Sequence, residues 1–363
     1  MPVPQLTVLM SVHNGEAYLR EAVDSILAQN FGDFEFLIVD DGSTDGTAEI
    51  LSSYSDARVA VLRNERRLTL PVALNCGLRV ARAPLIARAD ADDVYFPDRL
   101  ARQMEYVRGH PSVGVFSAPT YRMSEDGHVG ELARLPRQDG QLKLHLLWAS
   151  PLCHTTVVYR RDIVLGVGGY DERFWTAQDY DLWARLAAHT AFGNLAEPVG
   201  KYRVHTASTC AVRGEQGREL GDSVSRRLLS KYLELDVAEG PHRTFRRLLV
   251  HGLTGDDDPV APAVQLLDDL LDKARTAETP ATLRWARAKL SSLLMARSAN
   301  STYRDAKRSW WLFGRSLRLD PRQVFRWPAL KQIGRLTFVR HLPLSVARRL
   351  GMRSAVHVPQ RNS

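Results

Sequence analysis

Apolar positions in the first third of the chain fall into short unbroken runs, separated by stretches in which they recur three and four residues apart. Leu6 to Val12 is one run, closing in Ser11-Val12-His13-Asn14-Gly15, which predicts a strand entering a turn. From Glu16 to Gln29, Ala17, Leu19, Ala22, Val23, Ile26 and Leu27 keep helical spacing. Phe34 to Val39 is a second strand that runs into Asp40-Asp41-Gly42-Ser43-Thr44-Asp45-Gly46, followed by a helix over Thr47 to Tyr54. Arg58 to Leu62 predicts a third strand, Thr69 to Ala81 a helix, and Leu85 onward a fourth strand. Strands separated by helices of this length predict βαβ units and a mostly parallel sheet.

The fourth strand ends abruptly in acid: Leu85-Ile86-Ala87-Arg88-Ala89-Asp90-Ala91-Asp92-Asp93. In a strand, Asp90 and Asp92 point to one side, at the sheet edge where open α/β folds bind ligands. Two hard oxygen donors there suit Mg²⁺ or Mn²⁺ shared with substrate phosphates. Further along, a helix over Asp98 to Arg108, a strand over Val113 to Ala118, a helix over Gly140 to Trp148 and a strand over Thr155 to Tyr159 are predicted. Gly168 to Trp175 reads as loop, Asp179 to Ala188 as a helix, and Lys201 to His205 as a short strand. From about Gly214 the pattern is helical, with breaks near Gly240-Pro241, Asp256 to Pro259 and Pro321.

Composition changes the picture in one respect. The net charge of +8 conceals a tail, from Ala281 onward, with 18 Lys and Arg against two Asp, and with Trp285, Trp310, Trp311 and Trp327. Basic amphipathic helices carrying interfacial aromatics suit an anionic membrane surface; a solvated basic face is the plainer alternative. Nucleic acid would use the same charge, but no nucleic-acid module accompanies it and none is expected as a partner. No apolar run approaches the length of a bilayer span, and the first residues lack the basic and small-residue features of a signal peptide. Cys76, Cys153 and Cys210 form no Cys-x-x-Cys motif and fit a reducing cytoplasm. The expected location is therefore cytoplasmic, with peripheral attachment to the inner face of the membrane.

Taken in order, LMSVHNG, FLIVDDGSTDGT, ALNCGLRVARAPLIARADADD, CHTTVVYRRD, GGYDERFWTAQDYDLWARL and KYRVH resemble glycosyltransferase family 2. The resemblance covers roughly Leu6 to His205. It implies a GT-A fold, a Rossmann-like mixed, mostly parallel sheet flanked by helices. A GT-A domain over residues 1–213 is expected, divided into a nucleotide-sugar half (about 1–100) and an acceptor half (about 101–213). A helical region over 214–363 follows, strongly basic from 281. The implied activity is inverting, non-processive transfer from a nucleotide-diphospho-sugar, commonly a UDP-sugar, to a carbohydrate or lipid-linked hydroxyl, with Mn²⁺ or Mg²⁺ as cofactor and a setting in surface polysaccharide or glycolipid synthesis.

By position, the resemblance assigns nucleotide contacts to Ser11, His13 and Asp41, with Asp40 beside it, and a ribose contact to Asp90. It assigns the metal to Asp92 and His205, with Asp93 fixing the loop and Arg203 offering a charge-assisted contact. The base that takes the acceptor proton is implied to be Asp179, preceded here by Gln178 where family members usually carry Glu. Asp181 is the rival, and lies on another helix face; helix N-terminal carboxylates complementing the dipole are the alternative for both. His154 stands either at the acceptor or in the core. Thr206 to Gly217, small and polar, reads as a lid over the donor.

Gln323-Val324-Phe325-Arg326-Trp327 matches a pattern of processive synthases but lies far downstream, so coincidence is the better reading. Two other classes remain open: a catalytically silent sugar-nucleotide or membrane-binding protein of the same fold, and a nucleotidyltransferase. The latter needs a basic glycine-rich loop after the first strand, and Ser11 to Glu16 holds one glycine and no Lys or Arg.

Overall fold

The structure, a computed structural model, describes residues 2–133, 135–206, 214–251, 260–300, 312, 314–316 and 318–320. Residues 1–286 form one compact unit and residues 287–363 a second. Cys210, residues 207–213 of the expected lid, Trp310, Trp311, Trp327, Gln323 to Trp327 and the breaks at Asp256 to Pro259 and Pro321 lie outside the described residues.

In chain order the elements are β1 (Leu6–Val12), α1 (Leu19–Leu27), β2 (Phe34–Asp40), α2 (Thr47–Ser52), β3 (Val59–Arg63), α3 (Leu70–Val80), β4 (Leu85–Asp90) and β5 (Val94–Tyr95). There follow α4 (Arg99–Gly109), β6 (Val113–Ser117), β7 (Tyr121–Ser124), β8 (Val129–Leu132), α5 (Asp139–His145), β9 (Val158–Arg160), α6 (Arg161–Gly166), α7 (Gln178–Leu186), β10 (Ala191–Asn194) and β11 (Gly200–Val204). The last helices are α8 (Gly214–Leu233), α9 (Glu239–Arg246), α10 (Val260–Ala277) and α11 (Pro280–Asn300).

A seven-stranded sheet has the order β10-β6-β9-β4-β1-β2-β3, parallel except for β9, which runs antiparallel to β4 and β6. The mixed, mostly parallel sheet expected from the sequence is therefore present. Its central strands β1, β2 and β4 are buried along nearly their whole length because helices cover both faces. Leu19, Ala22, Val23 and Ile26 of α1 join Leu100 and Met104 of α4 on one face. Ala73, Leu74 and Leu78 of α3, Val164 of α6 and Leu182 and Trp183 of α7 fill the other. Gly77 lets α3 approach closely, since a Cβ there would stand 2.3 Å from Leu9 Cδ1.

Strand order reverses between β1 and its neighbours β2 and β4, and that reversal opens a crevice at the carboxyl ends. In register, Ser11 lies between Val39 and Asp90, and Val12 beside Asp40. The acidic turn after β4 and the polar turns after β1 and β2 thus meet at one edge.

A second sheet, β5-β11-β7-β8, was not expected. It has a direct consequence for the crevice. β5 begins one residue after Asp93 and pairs antiparallel with β11 (Lys201↔Val94, Gly200↔Tyr95), so the chain leaving β11 returns alongside the acidic turn. The helix α8 packs on α7, and Arg246 of α9 bonds Asp222 and the Trp148 carbonyl, so these helices join the same unit as the sheet. Among the described residues, no helix is long and apolar enough to cross a membrane.

Candidate active site

The turns after β1 and β2 are cross-linked side chain to backbone. Asn14 N donates to Ser43 Oγ (3.0 Å), Gly15 N to Thr47 Oγ1 (2.9 Å) and Glu16 N to Asp45 Oδ2 (3.1 Å). In return Thr44 N donates to Asn14 Oδ1 (2.9 Å) and Gly46 N to Glu16 Oε2 (3.1 Å). Asn14 adopts φ 52°, a left-handed conformation that Asn tolerates better than most residues.

His13 Nδ1 lies 2.9 Å from the Asp41 carbonyl, so these two expected nucleotide residues are neighbours. The Asp41 carboxylate, however, is buried and turned into the following loop: it accepts from Asn64 Nδ2 (2.8 Å) and from Leu68 N (3.1 and 3.2 Å). Gly42, at φ 67°, lets that loop close, because a Cβ there would stand 2.4 Å from the Arg66 carbonyl carbon. Asp41 therefore ties the turn after β2 to the loop at Asn64 to Leu68, and only lone pairs that the loop leaves over remain for any other partner. Asp40 is likewise a turn residue, accepting from Ser43 N at 3.0 Å.

At the end of β4, Asp92 Oδ2 stands 2.9 Å from His205 Nε2, the pairing that the strands β5 and β11 bring about. Asp93 is fully buried and accepts from Arg203 N at 2.8 Å, so it fixes the turn as the sequence suggested. Arg203 is not a free anion contact. Its guanidinium donates to the Asp92 carbonyl (2.9 Å) and to Glu21 Oε2 (2.5 Å) and lies 4.5 Å from the Tyr18 ring centroid.

Three carboxyls in one turn perturb each other. Burial opposes the charge on Asp90, yet Arg88 outweighs it and holds this carboxyl below its ordinary pKa. Burial and the Asp90 charge push Asp92 up, against the His205 hydrogen bond, and burial with both neighbours pushes Asp93 well above the carboxylate range. Among the described residues no three His, Cys, Asp or Glu side chains form a protein-only metal cage. Asp92 and His205 nevertheless fit a hard divalent cation that takes its other oxygens from a diphosphate and water. Such a cation, if bound, would relieve the crowding of anionic charge in this turn.

Asp179 occupies the first turn of α7, with Ser150 Oγ 3.5 Å from its Oδ2. The residue before the helix proper, Ala177, has φ 59° and ψ 18°, a conformation that disfavours residues with a Cβ and that concentrates at functional sites. Burial raises the Asp179 pKa, and the charge of Asp90 raises it further.

Asp181 is different. It is 1% exposed and accepts from Arg185 Nε (2.8 Å) and from Arg227 of α8 (2.6 Å). That is a tie between helices, and it occupies both carboxylate oxygens of Asp181. His154 is half-buried, with Nε2 3.0 Å from the Tyr170 hydroxyl and its ring near Trp183. Burial, helped by the Arg88 charge, pushes it down to about 3, so it is a neutral hydrogen-bonding group at physiological pH. The floor of the crevice includes residues that the sequence reading passed over: Arg88, Tyr95 and Arg99, all buried beneath the acidic turn. A charged residue inside an apolar strand was the available signal for Arg88.

Residues 7–166 match the family described as Glycosyl transferase family 2. The O-antigen biosynthesis glycosyltransferase WbnJ of Escherichia coli is 30% identical over 210 residues, 56% of this chain and 81% of that one. This chain belongs to glycosyltransferase family 2. EpsE of Bacillus subtilis is 32% identical over 208 residues, covering 55% of this chain and 73% of EpsE. Among solved structures, S. aureus TarS residues 1–349 in complex with UDP-GlcNAc superposes with a TM-score of 0.53 at 16% identity, covering 87% of this family 2 chain and 89% of that one. At that identity the likeness is one of fold. Against another S. aureus TarS structure the chain spans 55% of that protein's length.

Proposed function

We propose that this chain is an inverting, divalent-metal-dependent, non-processive glycosyltransferase. It takes a sugar from a nucleotide-diphospho-sugar and passes it to a hydroxyl of a carbohydrate or lipid-linked acceptor. The observation that supports the reading best is the pairing of Asp92 with His205 at the carboxyl edge of the sheet, 2.9 Å apart beside Asp90; a half-buried Asp179 with a pKa raised by burial adds a candidate base. Such a group accepts a proton near neutral pH more effectively than an ordinary surface carboxylate.

In this reading Asp179 takes the proton of the acceptor hydroxyl as its oxygen bonds to the anomeric carbon. The bond from that carbon to the diphosphate oxygen breaks on the opposite side, which inverts the centre and frees a nucleoside diphosphate. The proton then leaves Asp179 to solvent. Ser150 keeps the carboxylate aimed, Gln178 adds no charge beside it, and Asp90 orients the donor ribose. Asp92 and His205 would hold the cation, which when bound neutralises charge on the leaving diphosphate. Ser11, His13 and the Asp41 turn form the nucleotide end, and His154 lies at the acceptor end as a neutral donor or acceptor.

Residues 1–100 would then serve the donor, 101–213 the acceptor, and the strongly basic region from 281 attachment. TarS was crystallised with UDP-GlcNAc, which makes UDP-sugars the first donors to try. Relatives named for O-antigen and amylovoran biosynthesis support a place in polysaccharide or glycolipid assembly. Incubation with a panel of UDP-, dTDP- and GDP-sugars and Mn²⁺ should release free nucleoside diphosphate from one of them. Release of pyrophosphate instead would mean nucleotidyl transfer, and no turnover of any donor would favour a silent binding protein. The basic tail would hold the enzyme at the inner face of the membrane. Truncation before Ala281 should weaken sedimentation with anionic vesicles, and unchanged sedimentation would remove that part of the proposal.

A further inference from the structure

Arg88 occupies the middle of β4, in the centre of the large sheet, and is 0% exposed. A guanidinium cannot shed its charge in a protein, so a buried one is costly unless it is paired and hydrogen-bonded. Its partners are few. Nη1 donates to the carbonyls of Leu9 (3.2 Å) and Ala89 (2.7 Å), and Nη2 to Asp90 Oδ1. The paired carboxylate is Asp90, whose side chain is 28% exposed at the mouth of the crevice. Asp90 Oδ2, by contrast, has no hydrogen-bond partner among the described residues and is not sealed from solvent.

The turn is braced from below as well. Tyr95 Oη accepts from Asp90 N at 2.7 Å and lies 2.5 Å from Thr155 Oγ1, and the buried Arg99 donates to the Arg88 carbonyl. Arg99 Nε reaches Gln103, which donates to the Thr156 carbonyl at 2.7 Å. One oxygen of Asp90 is thus anchored through Arg88 to the backbones of β1 and β4, and the other is left over.

We infer that Arg88 is a positioning residue for the donor: it pins Asp90 Oδ1 to the sheet so that Oδ2 alone, in a fixed direction, meets the donor's ribose hydroxyls. The inference rests on the proposed role of Asp90 in donor binding. It assigns Arg88 no contact with substrate, since the guanidinium is sealed beneath the turn. A flat fork that bonds two carbonyls and a carboxylate at once is a task for Arg rather than Lys.

A double-mutant cycle tests it, with UDP, dTDP and GDP, each with Mn²⁺, as calorimetric probes, followed by steady-state kinetics on the donor that turns over. Asp90→Asn should weaken diphosphate binding roughly tenfold, the usual scale for losing a hydrogen bond to a charged group. Arg88→Met should weaken it by a similar factor, raising the donor KM more than it lowers kcat. The double variant should bind no more weakly than Asp90→Asn alone, because Arg88 acts only through Asp90. Arg88→Lys, which keeps the charge, guards against a fold defect in Arg88→Met and should fall between wild type and Met. Additive losses, or wild-type binding in a folded Arg88→Met or Arg88→Lys with Asp90→Asn impaired, would overturn the inference and leave the functional reading standing. Wild-type binding in Asp90→Asn would instead sink the assigned role of Asp90, and this inference with it.

Discussion

Asp179→Asn should lower kcat by about 10²- to 10⁴-fold, the usual contribution of a general base, while leaving nucleoside diphosphate binding within about twofold, a shift of a few tenths of a kcal/mol. The fold should not suffer. Burial, with the Asp90 charge, raises the Asp179 pKa, so the folded protein holds this proton more tightly than the unfolded chain. The group therefore favours the fold fully below the ordinary aspartate pKa, and that contribution is lost as pH rises through the folded value. At neutral pH the ionised side chain weakens the fold slightly, and the neutral Asn should melt at the same temperature or higher, as active-site carboxylates often do when removed. The same shift sets the acid limb of wild-type kcat above the ordinary aspartate range, because catalysis needs the ionised form. More than a tenth of wild-type kcat in Asp179→Asn at saturating substrates would exclude it as the base.

Asp181→Asn, two residues on, should do the reverse. Removing the charge leaves Arg185 and Arg227 without their shared carboxylate. Breaking a buried pair costs about 3–5 kcal/mol, but the Arg227 side chain is 53% exposed and water can take over part of its solvation. We expect a loss of about 2–3 kcal/mol, which for a unit of this size lowers the melting temperature by roughly 5–10 °C. Catalysis at a temperature where both proteins are folded should be near wild type. A variant that melts normally but has lost turnover would return Asp181 to the active site.

That contrast shows where sequence reading stops. Helical periodicity separates Asp179 and Asp181 onto different faces. Which face meets the crevice depends on Arg227, nearly fifty residues later on another helix. The strands β1, β2 and β4 are legible because each is buried on both sides and reads as a mainly apolar run, broken within by Thr7, Glu35 and Arg88. The second sheet is not: β5 has two residues, β7 and β8 are half exposed, and β5 and β7 are joined only by β11, far along the chain. Asp41 was legible as a turn residue of the nucleotide loop. Its actual hydrogen-bond donors, Asn64 and Leu68, belong to a loop that no local pattern ties to it. Arg88 was written plainly in the sequence, but its burial depends on the strands packed to either side. His205 was reached by resemblance, and the structure supplies the physical cause of its position, the antiparallel pairing of β5 with β11.

The cross-bonded turns after β1 and β2 bear on how such enzymes could be re-engineered. Asn14 and Glu16 each both give and receive across the gap to Ser43, Thr44, Asp45 and Gly46. A chimera that imports only the acidic turn from another enzyme, to change its nucleotide preference, would strand half of this lattice. Residues 13–16 and 40–47 are best transplanted together, as one inherited cassette.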